Sequence, residues 1–377
     1  MKKTQIFLIA LLIPLFVFAN DELEPLELAS LLVADGNIAK AERMLKKVDL
    51  SDEDLDKKKY HLILGLIQLK KSKYPLAYNS FKKAQANGDK RADIFIYLAK
   101  SAWGMKNYDL VVNNLKKSGN KLYLNSSNLL LMSASNWKLK NTGEAWEYLD
   151  KAGQLFPREE KILKQKTIFL VELGFFKTAI DVAKDYIKLP KVTLKETLEM
   201  AALFKNSKQY DEAILLTEIT RLKNPEDKRV LVELGENYLK KKDILSSANL
   251  FEQASAFDSK YYMEASELYR MNKSFFKSMA LNRYISNSKK KLRGLFTLFI
   301  ENELYEQASL LSTGLSRVGL LQNDEISYGL AYSYFKTGDF LSANRYLKKI
   351  GSSDLFEKAN VLRKTMANCE GRKWLCL

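Results

Sequence analysis

The sequence predicts an all-α protein built from stacked helical hairpins. Three observations predict this fold class: small residues recur at intervals of 34 positions, pairs of apolar stripes follow helical spacing, and alternating strand patterns are nearly absent. One hairpin of two amphipathic helices cannot cover its own apolar face, so neighbouring hairpins must stack to bury it. An array of this kind needs no single central core, which suits a chain of 377 residues.

The composition is that of a folded, water-soluble protein with a basic surface. Hydrophobic residues make up 46% of the chain and charged residues 28%, with 16 Gly and 6 Pro, which excludes a collagen-like or largely disordered chain. Because 61 Lys and Arg stand against 45 Asp and Glu, the net charge is +16 and acidic partners or surfaces are expected. The single histidine, His61, weighs against many enzyme classes, since His is the commonest general base near neutral pH.

The N-terminal segment, residues 1–19, is predicted to be a secretory signal peptide. Met1–Lys3 is basic, Ile6–Phe18 is an uncharged apolar run, and small residues precede a cleavage site after Ala19. The run is shorter than the roughly 20 residues that a transmembrane helix needs, although an uncleaved anchor remains an alternative. The mature protein is therefore expected to be exported and soluble, and in a Gram-negative bacterium to be periplasmic.

A small residue followed by a fixed pattern recurs along most of the remaining chain. A second small residue comes 12 positions later, a bulky apolar residue 16 later and another small residue 19 later. Six copies keep an interval of 34 residues, at Gly65, Ala99, Ser133, Thr167, Ala201 and Gly235. In a further copy the corresponding residue is Ala29, 36 residues upstream of Gly65. Downstream the interval drifts, and the corresponding residues are placed at Ala265, Phe296 and Ala331. Such a period is the sequence signature of a repeat architecture.

Helix geometry accounts for this pattern. Each copy contains two apolar stripes with helical spacing, as in Ile94–Trp103 and Leu110–Leu115, separated by turn-forming residues such as Lys106 and Asn107. Small residues at the eighth and twentieth positions of each copy allow the two helices of a hairpin to approach closely. Residues Asp354–Asn368 are predicted to form a final helix that caps the array, with Ser353 or Asp354 as its N-cap.

These residues resemble the tetratricopeptide repeat family. The fullest match is Leu234–Tyr238, which reads Leu-Gly-Glu-Asn-Tyr, and the resemblance covers about ten copies over residues 22–352. It implies a right-handed alpha-alpha superhelix, a solenoid of about ten hairpins, over residues 20–352, with residues 353–377 as a capping helix and a cysteine-closed tail. Sel1-like and HEAT-type helical arrays remain alternatives. Three residues depart from the family pattern: Lys166 and Glu264, at positions expected to be apolar, and Lys277, at a position expected to be small.

In this family the first helix of each hairpin lines a concave groove, through its second, fifth, ninth, twelfth and thirteenth positions. Transferring those positions to this chain gives a groove that combines cations with aromatic rings, which suits an acidic or extended segment of a partner protein. The alternative is that these are ordinary solvated lysines and core aromatics. The candidate groove residues are Lys70, Lys100, Trp103, Trp137, Lys138, Lys205, Arg229, Lys240, Tyr262, Tyr269, Arg270, Tyr328 and Tyr332.

The two cysteines, Cys369 and Cys376, lie close together near the end of the chain. In an oxidising compartment an even number of cysteines favours a disulfide, here one that closes a short loop and contributes roughly 2–3 kcal/mol in the chain-entropy model. Redox-active pairs normally have two intervening residues rather than six, and two thiols without a histidine make a poor zinc site. A structural disulfide is therefore the favoured interpretation.

The sequence offers no recognisable catalytic machinery. It contains no glycine-rich phosphate loop, no Cys/His metal-binding spacing and no serine in a strand–turn–helix setting, so we expect no enzyme activity, no cofactor and no metal. Charge alone would permit nucleic-acid binding, but export disfavours it.

The function expected from these observations is that of a periplasmic scaffold or adaptor that supports a cell-envelope machine. On general likeness the chain resembles the tetratricopeptide companions of TonB–ExbB–ExbD-type energy-transducing systems, and outer-membrane or pilus assembly is a second setting. One alternative is an electrostatic binder of anionic cell-wall or lipopolysaccharide surfaces, including contact with a membrane surface. Another is an envelope hydrolase, for which no carboxylate pair stands out.

Overall fold

The computed structural model describes residues 24–369 and 371 of the chain. Every regular element among them is a helix, which confirms the all-α prediction. No helix in this part of the chain is long and apolar enough to span a membrane. The predicted signal peptide, residues 1–19, and Cys376 lie outside the described residues. The described residues form two compact units, which divide between Gln165 and Lys166: unit 1 is the part up to Gln165 and unit 2 the part from Lys166 onward.

The described residues of unit 1 form four complete helical hairpins. Each consists of a first helix and a second helix joined by a tight turn, and a short 3-10 turn at Gly119–Leu124 separates the third hairpin from the fourth. The helices are α1 (Pro25–Ala34) with α2 (Ile38–Leu45), α3 (Lys57–Lys70) with α4 (Tyr74–Ala86), α5 (Ala92–Gly104) with α6 (Tyr108–Lys117), and α7 (Ser126–Lys138) with α8 (Thr142–Leu155).

The fifth hairpin begins with α9 (Glu160–Glu172). The boundary between the residue ranges of unit 1 and unit 2 falls within this helix. Five more hairpins and a final single helix follow, so the described residues contain the expected number of about ten hairpins. The remaining helices are α10 (Phe176–Lys188), α11 (Leu194–Asn206), α12 (Tyr210–Lys223), α13 (Lys228–Lys240), α14 (Ile244–Ser255), α15 (Tyr261–Met271), α16 (Phe275–Asn282), α17 (Ser288–Glu301), α18 (Tyr305–Leu310), α19 (Ser312–Arg317), α20 (Asp324–Lys336), α21 (Phe340–Leu347) and α22 (Ser353–Asn368).

Small residues bring the two helices of a hairpin together, as the sequence predicted. A Cβ atom on Gly65 would lie only 2.5 Å from the ring of Phe81, and one on Gly235 would lie 3.0 Å from the ring of Phe251. Alanines at the same repeat position, such as Ala99, are completely buried. A larger side chain at these crossings would force the helices apart, because a close-packed interior has no room for it.

The same hydrogen-bonded turn ends the first helix of every hairpin. One residue adopts a left-handed conformation, and the N–H of the next residue donates to the carbonyl five residues earlier, at 2.8–3.0 Å, which is the Schellman motif. Only three of the ten left-handed residues are glycines, although glycine adopts this conformation most readily. The ten are Gly36, Ser72, Lys106, Lys140, Gly174, Lys208, Lys242, Lys273, Glu303 and Gly338.

This turn corrects the repeat register of the eighth hairpin, α15 with α16. In the other hairpins the left-handed residue comes seven residues after the eighth-position residue. In this hairpin the residue seven before Lys273 is Ser266 and not Ala265. The Ser266 hydroxyl donates to the carbonyl oxygen of Ser278 at 2.9 Å, as the hydroxyl of Ser133 donates to that of Ala145, also twelve residues later, at 2.7 Å. The placement of the copy at Ala265 was therefore wrong by one residue.

The corrected register removes two of the three predicted departures from the repeat pattern, those at Glu264 and Lys277. Ser278 is 1% exposed and fills the position expected to be small, so Lys277 does not stand there. Glu264 moves from the position directly before the eighth residue to the position two before it, and the buried Ala265 fills the position expected to be apolar. The sequence pattern misled because Ala265 and Ser266 are both small and adjacent, and the interval shortens at this point of the chain.

The final helix α22 begins at Ser353, one residue earlier than predicted. Its N-cap residue, Ser352, makes no side-chain capping bond. Instead the Oδ2 atom of Asp324 accepts hydrogen bonds from the backbone N–H groups of Gly351 (3.0 Å) and Ser352 (2.7 Å). Helix α22 packs Leu362 and neighbouring apolar residues onto the tenth hairpin. Cys369 directly follows α22 and is 6% exposed; its pairing with Cys376 stays a prediction.

Replacing a left-handed lysine by glycine should stabilise the protein. We expect Lys242→Gly to raise the free energy of unfolding of its hairpin by about 0.5–1 kcal/mol, because relief of the left-handed strain outweighs the greater freedom of glycine in the unfolded chain. The matched control is Lys240→Gly, in the last turn of α13, which should destabilise by up to about 1 kcal/mol. Thermal unfolding followed by circular dichroism measures both, and a lower midpoint for Lys242→Gly would contradict the argument.

Candidate functional site

The thirteen candidate groove residues do not form one uniform surface. Their cations divide by unit: those in unit 1 have no acidic partner in the described part of the chain, whereas most of those in unit 2 are paired with carboxylates of their own or a neighbouring helix. Their aromatic residues divide by burial, because two of them lie in the hydrophobic core.

Three exposed lysines occupy the first helices of unit 1. Lys70 ends α3, Lys100 lies in α5 and Lys138 ends α7, and within the described residues none of them forms an ion pair with a carboxylate. Burial around the side chain lowers the pKa of Lys100, and the nearby charge of Lys70 lowers it further. Two like charges held close together without a counter-charge raise the local positive potential, which an anion bound there would relieve.

Trp103 lies beside this positive charge. It is half-buried, packs edge-on against Tyr108 with ring centroids 5.3 Å apart, and follows Lys100 by three residues, so both side chains lie on the same face of α5. The next position, which carries a lysine in α3 and α7, is Gly104 in α5, and any Cβ atom there would overlap the ring of Tyr74. The partly exposed Trp103 ring is thus the aromatic surface adjacent to Lys100.

Trp137, which occupies in α7 the repeat position that Trp103 occupies in α5, is only 8% exposed. Its prediction as an accessible groove residue was therefore wrong, since a ring this deeply buried contributes to the core and not to an open surface. Repeat position alone does not decide exposure; the surrounding side chains do.

In unit 2 the predicted cations mostly have partners within the chain. The ammonium group of Lys205 lies 2.7 Å from Glu233 and 3.1 Å from Glu236, both on the next first helix. Burial alone would lower the pKa of Lys205, but its hydrogen bonds to these two carboxylates raise it overall. Arg229 pairs in a forked geometry with Asp227, with Nη2 to Oδ2 at 2.6 Å and Nε to Oδ1 at 3.0 Å.

Arg270 is likewise satisfied from within unit 2, by Glu267 on its own helix and by Glu301 on α17. Hydrogen bonds to these two carboxylates raise the pKa of the Arg270 guanidinium. Lys240 is exposed at the end of α13. The sequence interpretation missed the acidic partners because it considered cations alone. A usable signal was present, since Glu233, Glu236 and Glu301 each follow their cation by about one repeat.

Tyr269 belongs to the core of the eighth hairpin, which corrects its prediction as a groove residue. It is completely buried, and its hydroxyl donates to Asn249 Oδ1 at 2.5 Å and also contacts Glu252. In the preceding hairpin the hydroxyl of Tyr238 bonds to Glu218, which precedes it by 20 residues, as Asn249 precedes Tyr269 by 20 residues. Burial, together with Glu252, raises the pKa of Tyr269. The error follows from the one-residue register shift of this hairpin.

The other three candidate tyrosines are half-buried and pack against further aromatic rings. Tyr262 stacks on Tyr284 with centroids 5.0 Å apart. Tyr332 packs edge-on against Tyr305, with ring centroids 5.5 Å apart. Burial raises the pKa of Tyr328, and the neighbouring Tyr332 raises it further. No group of His, Cys, Asp and Glu residues among the described residues is arranged to hold a metal ion.

Comparisons with known proteins concern the fold only. No family model and no curated protein matches this chain. Solved structures similar to it include the C-terminal part of a TPR repeat-containing protein from Cytophaga hutchinsonii, with 17% identity and a TM-score of 0.48 over 62% of this chain and 98% of that one. A tetratricopeptide repeat protein from Parabacteroides merdae has 16% identity and a TM-score of 0.47, over 66% and 96% of the two chains. A structure of pilF from Pseudomonas aeruginosa has 16% identity and a TM-score of 0.41, over 56% and 94%.

The ion pair between α11 and α13 should contribute measurably to stability. We expect Lys205→Met to lower the free energy of unfolding by about 1–2 kcal/mol, because Glu233 and Glu236 would lose their charged hydrogen-bond donor in a partly buried setting. Lys240→Met is the matched control, since this exposed lysine ends the next first helix, and it should change stability by less than about 0.5 kcal/mol. Equal effects of the two substitutions on the thermal midpoint would show that the pairing of Lys205 is not stabilising.

Proposed function

We propose that this protein is a non-catalytic interaction scaffold that binds an acidic segment of a partner protein along the first helices of unit 1. One observation carries the proposal: Lys70, Lys100 and Lys138 present positive charge without a carboxylate partner in the described residues, and the partly exposed ring of Trp103 lies on the same helix face as Lys100. In unit 2 the buried and half-buried cations at comparable positions are already neutralised, as Lys205 is by Glu233.

Simple electrostatics describes how such a segment would be held. A carboxylate placed between Lys70 and Lys100 would add two attractive interactions that offset the repulsion between their charges, and it would raise the pKa of Lys100 toward its ordinary value. An apolar residue next to that carboxylate would pack on Trp103, so that charge gives orientation and the ring gives contact area. Because these lysines are exposed, salt weakens their contribution but not the apolar part.

The location and the machine served are part of the same proposal. The basic start, apolar run and cleavage pattern of residues 1–19 support export to the periplasm of a Gram-negative bacterium. A scaffold in that compartment would support an envelope machine, such as a TonB–ExbB–ExbD-type system or one that assembles the outer membrane or pili. Crosslinking in intact cells, followed by identification of the captured proteins, tests this; recovery only from the cytoplasm would contradict it.

Binding of an acidic peptide tests the unit 1 surface directly. The probe is a fluorescein-labelled peptide of alternating glutamate and leucine with one phenylalanine, followed by fluorescence anisotropy. We expect the double substitution Lys70→Gln with Lys100→Gln to weaken binding about tenfold, since two charge pairs would be lost, each contributing up to about 1 kcal/mol. Trp103→Ala should weaken binding as well, with helicity unchanged by circular dichroism.

The control has the same change in net charge at a different place. Lys358→Gln with Lys364→Gln alters two exposed lysines of α22 in unit 2 and should leave the affinity nearly unchanged. If this control weakened binding as much as the unit 1 pair, and salt abolished all binding, the protein would be an electrostatic binder of anionic surfaces and the proposed site would be wrong.

A further inference from the structure

Unit 2 contains a cavity of about 780 Å³ bordered by the first helices α13, α15 and α17. Its apolar wall includes Leu239, Phe251 and Leu268, and its charged residues include Glu264 on α15. The Oε2 atom of Glu264 is buried and makes no hydrogen bond within the described residues. Leaving a buried charged acceptor unsatisfied costs about 1–3 kcal/mol or more, so such an atom calls for a donor.

An ion pair one repeat earlier shows which donor this position takes. In the corrected register Glu233 and Glu264 both stand two residues before the eighth position, which is Gly235 in one hairpin and Ser266 in the next. Glu233 is paired with Lys205 at 2.7 Å. The two carboxylates therefore occupy equivalent places on successive first helices, and only one of them has its cation.

The cation is missing because a leucine stands in its place. Lys205 follows the eighth-position residue Ala201 by four, and Leu239 follows Gly235 by four, so Leu239 is the equivalent of Lys205 in the next hairpin. Leu239 is 38% exposed and lines the same cavity as Glu264. The lysine-to-leucine exchange replaces an internal cation by an apolar wall.

The other charged groups around the cavity do not take over this role. Arg270 is engaged by Glu267 and Glu301. Lys290 and Arg293 of α17 line the cavity, but neither donates a hydrogen bond to Glu264 Oε2. Apart from Arg270 and its two partners, two carboxylates, Glu264 and Glu325, and two cations line the cavity. Of the carboxylate oxygens that line it, only Glu264 Oε2 is both buried and without a hydrogen bond in the described residues.

We infer that this cavity receives a lysine or arginine side chain of a partner protein. The cationic head pairs with Glu264, as Lys205 pairs with Glu233, and the aliphatic stem lies along Leu239, Phe251 and Leu268. Charge complementarity to Glu264 itself, and not the net charge of the cavity, selects this occupant, since a carboxylate or a purely apolar side chain would leave the Glu264 oxygen without a donor. The site goes beyond the proposed function, because it lies in unit 2 and takes the opposite charge.

The test uses two peptides that differ in one charge. Both are blocked, fluorescein-labelled nonapeptides with leucines around the central residue, which is arginine in one and the uncharged isostere citrulline in the other. We expect the arginine peptide to bind the full-length protein at least about tenfold more tightly than the citrulline peptide. Glu264→Gln should remove this preference, since an amide offers no charge to pair with the guanidinium.

A second variant fills the site from within the chain. Leu239→Lys is expected to form the ion pair with Glu264 that Lys205 forms with Glu233, and so to raise the thermal midpoint by a few degrees and to weaken the arginine peptide at least about tenfold. Combining Leu239→Lys with Glu264→Gln should remove the gain in midpoint. This variant stays informative even if Glu264→Gln folds poorly, because it is expected to be more stable than the natural chain.

Two controls separate this site from the rest of the surface. Glu357→Gln makes the same charge change on the exposed face of α22 and should leave both affinities unchanged. The pair Lys70→Gln with Lys100→Gln should also leave them unchanged, so failure of this site and failure of the unit 1 site are distinguishable. Equal binding of the two peptides, no binding of either up to about 1 mM, or full binding by Leu239→Lys would overturn the inference.

Discussion

Close approach of the two helices in each hairpin is the constraint on which the rest of this structure depends. Where Gly65 meets the ring of Phe81 there is no room for even one additional carbon atom. Such a crossing fixes how the hairpin closes, and the hydrogen-bonded left-handed turn ends the first helix seven residues later. Because both features repeat, each first helix holds a similar position relative to the next one along the chain. This arrangement brings Lys205 into an ion pair with Glu233 of the next hairpin.

Much of the fold followed from the sequence, because a repeated small residue is a strong signal. The limits of this signal have physical causes. The eighth hairpin was misplaced by one residue because the interval shortens where two small residues are adjacent, and Tyr269 was assigned to the surface as a result. Trp103 and Trp137 share a repeat position yet differ in burial, which depends on neighbours that a repeat pattern does not specify. Their surroundings come from other hairpins, and single-sequence periodicity carries no such contacts.

The candidate site was predicted less well than the fold, for a reason that concerns charge. A count of lysines and arginines does not distinguish a cation that is free to bind from one that already has a partner. Lys100 and Lys205 look alike in the sequence, but burial and Lys70 lower the pKa of the first, whereas carboxylates of the next first helix raise that of the second. Only the pairing across hairpins separates a structural ion pair from a surface that can accept an acidic ligand.

A repeat protein supplies its own reference for deciding which residues are unusual. The ion pair of Lys205 with Glu233 shows that this chain can neutralise a carboxylate at that position with an internal lysine. At the next repeat the carboxylate is present as Glu264, while the equivalent of the lysine is a partly exposed leucine. Packing does not explain this exchange, because an exposed leucine gains little by burial and the carboxylate loses its donor. A cation supplied from outside the chain accounts for both residues at once, since it needs the charge of one and the apolar surface of the other.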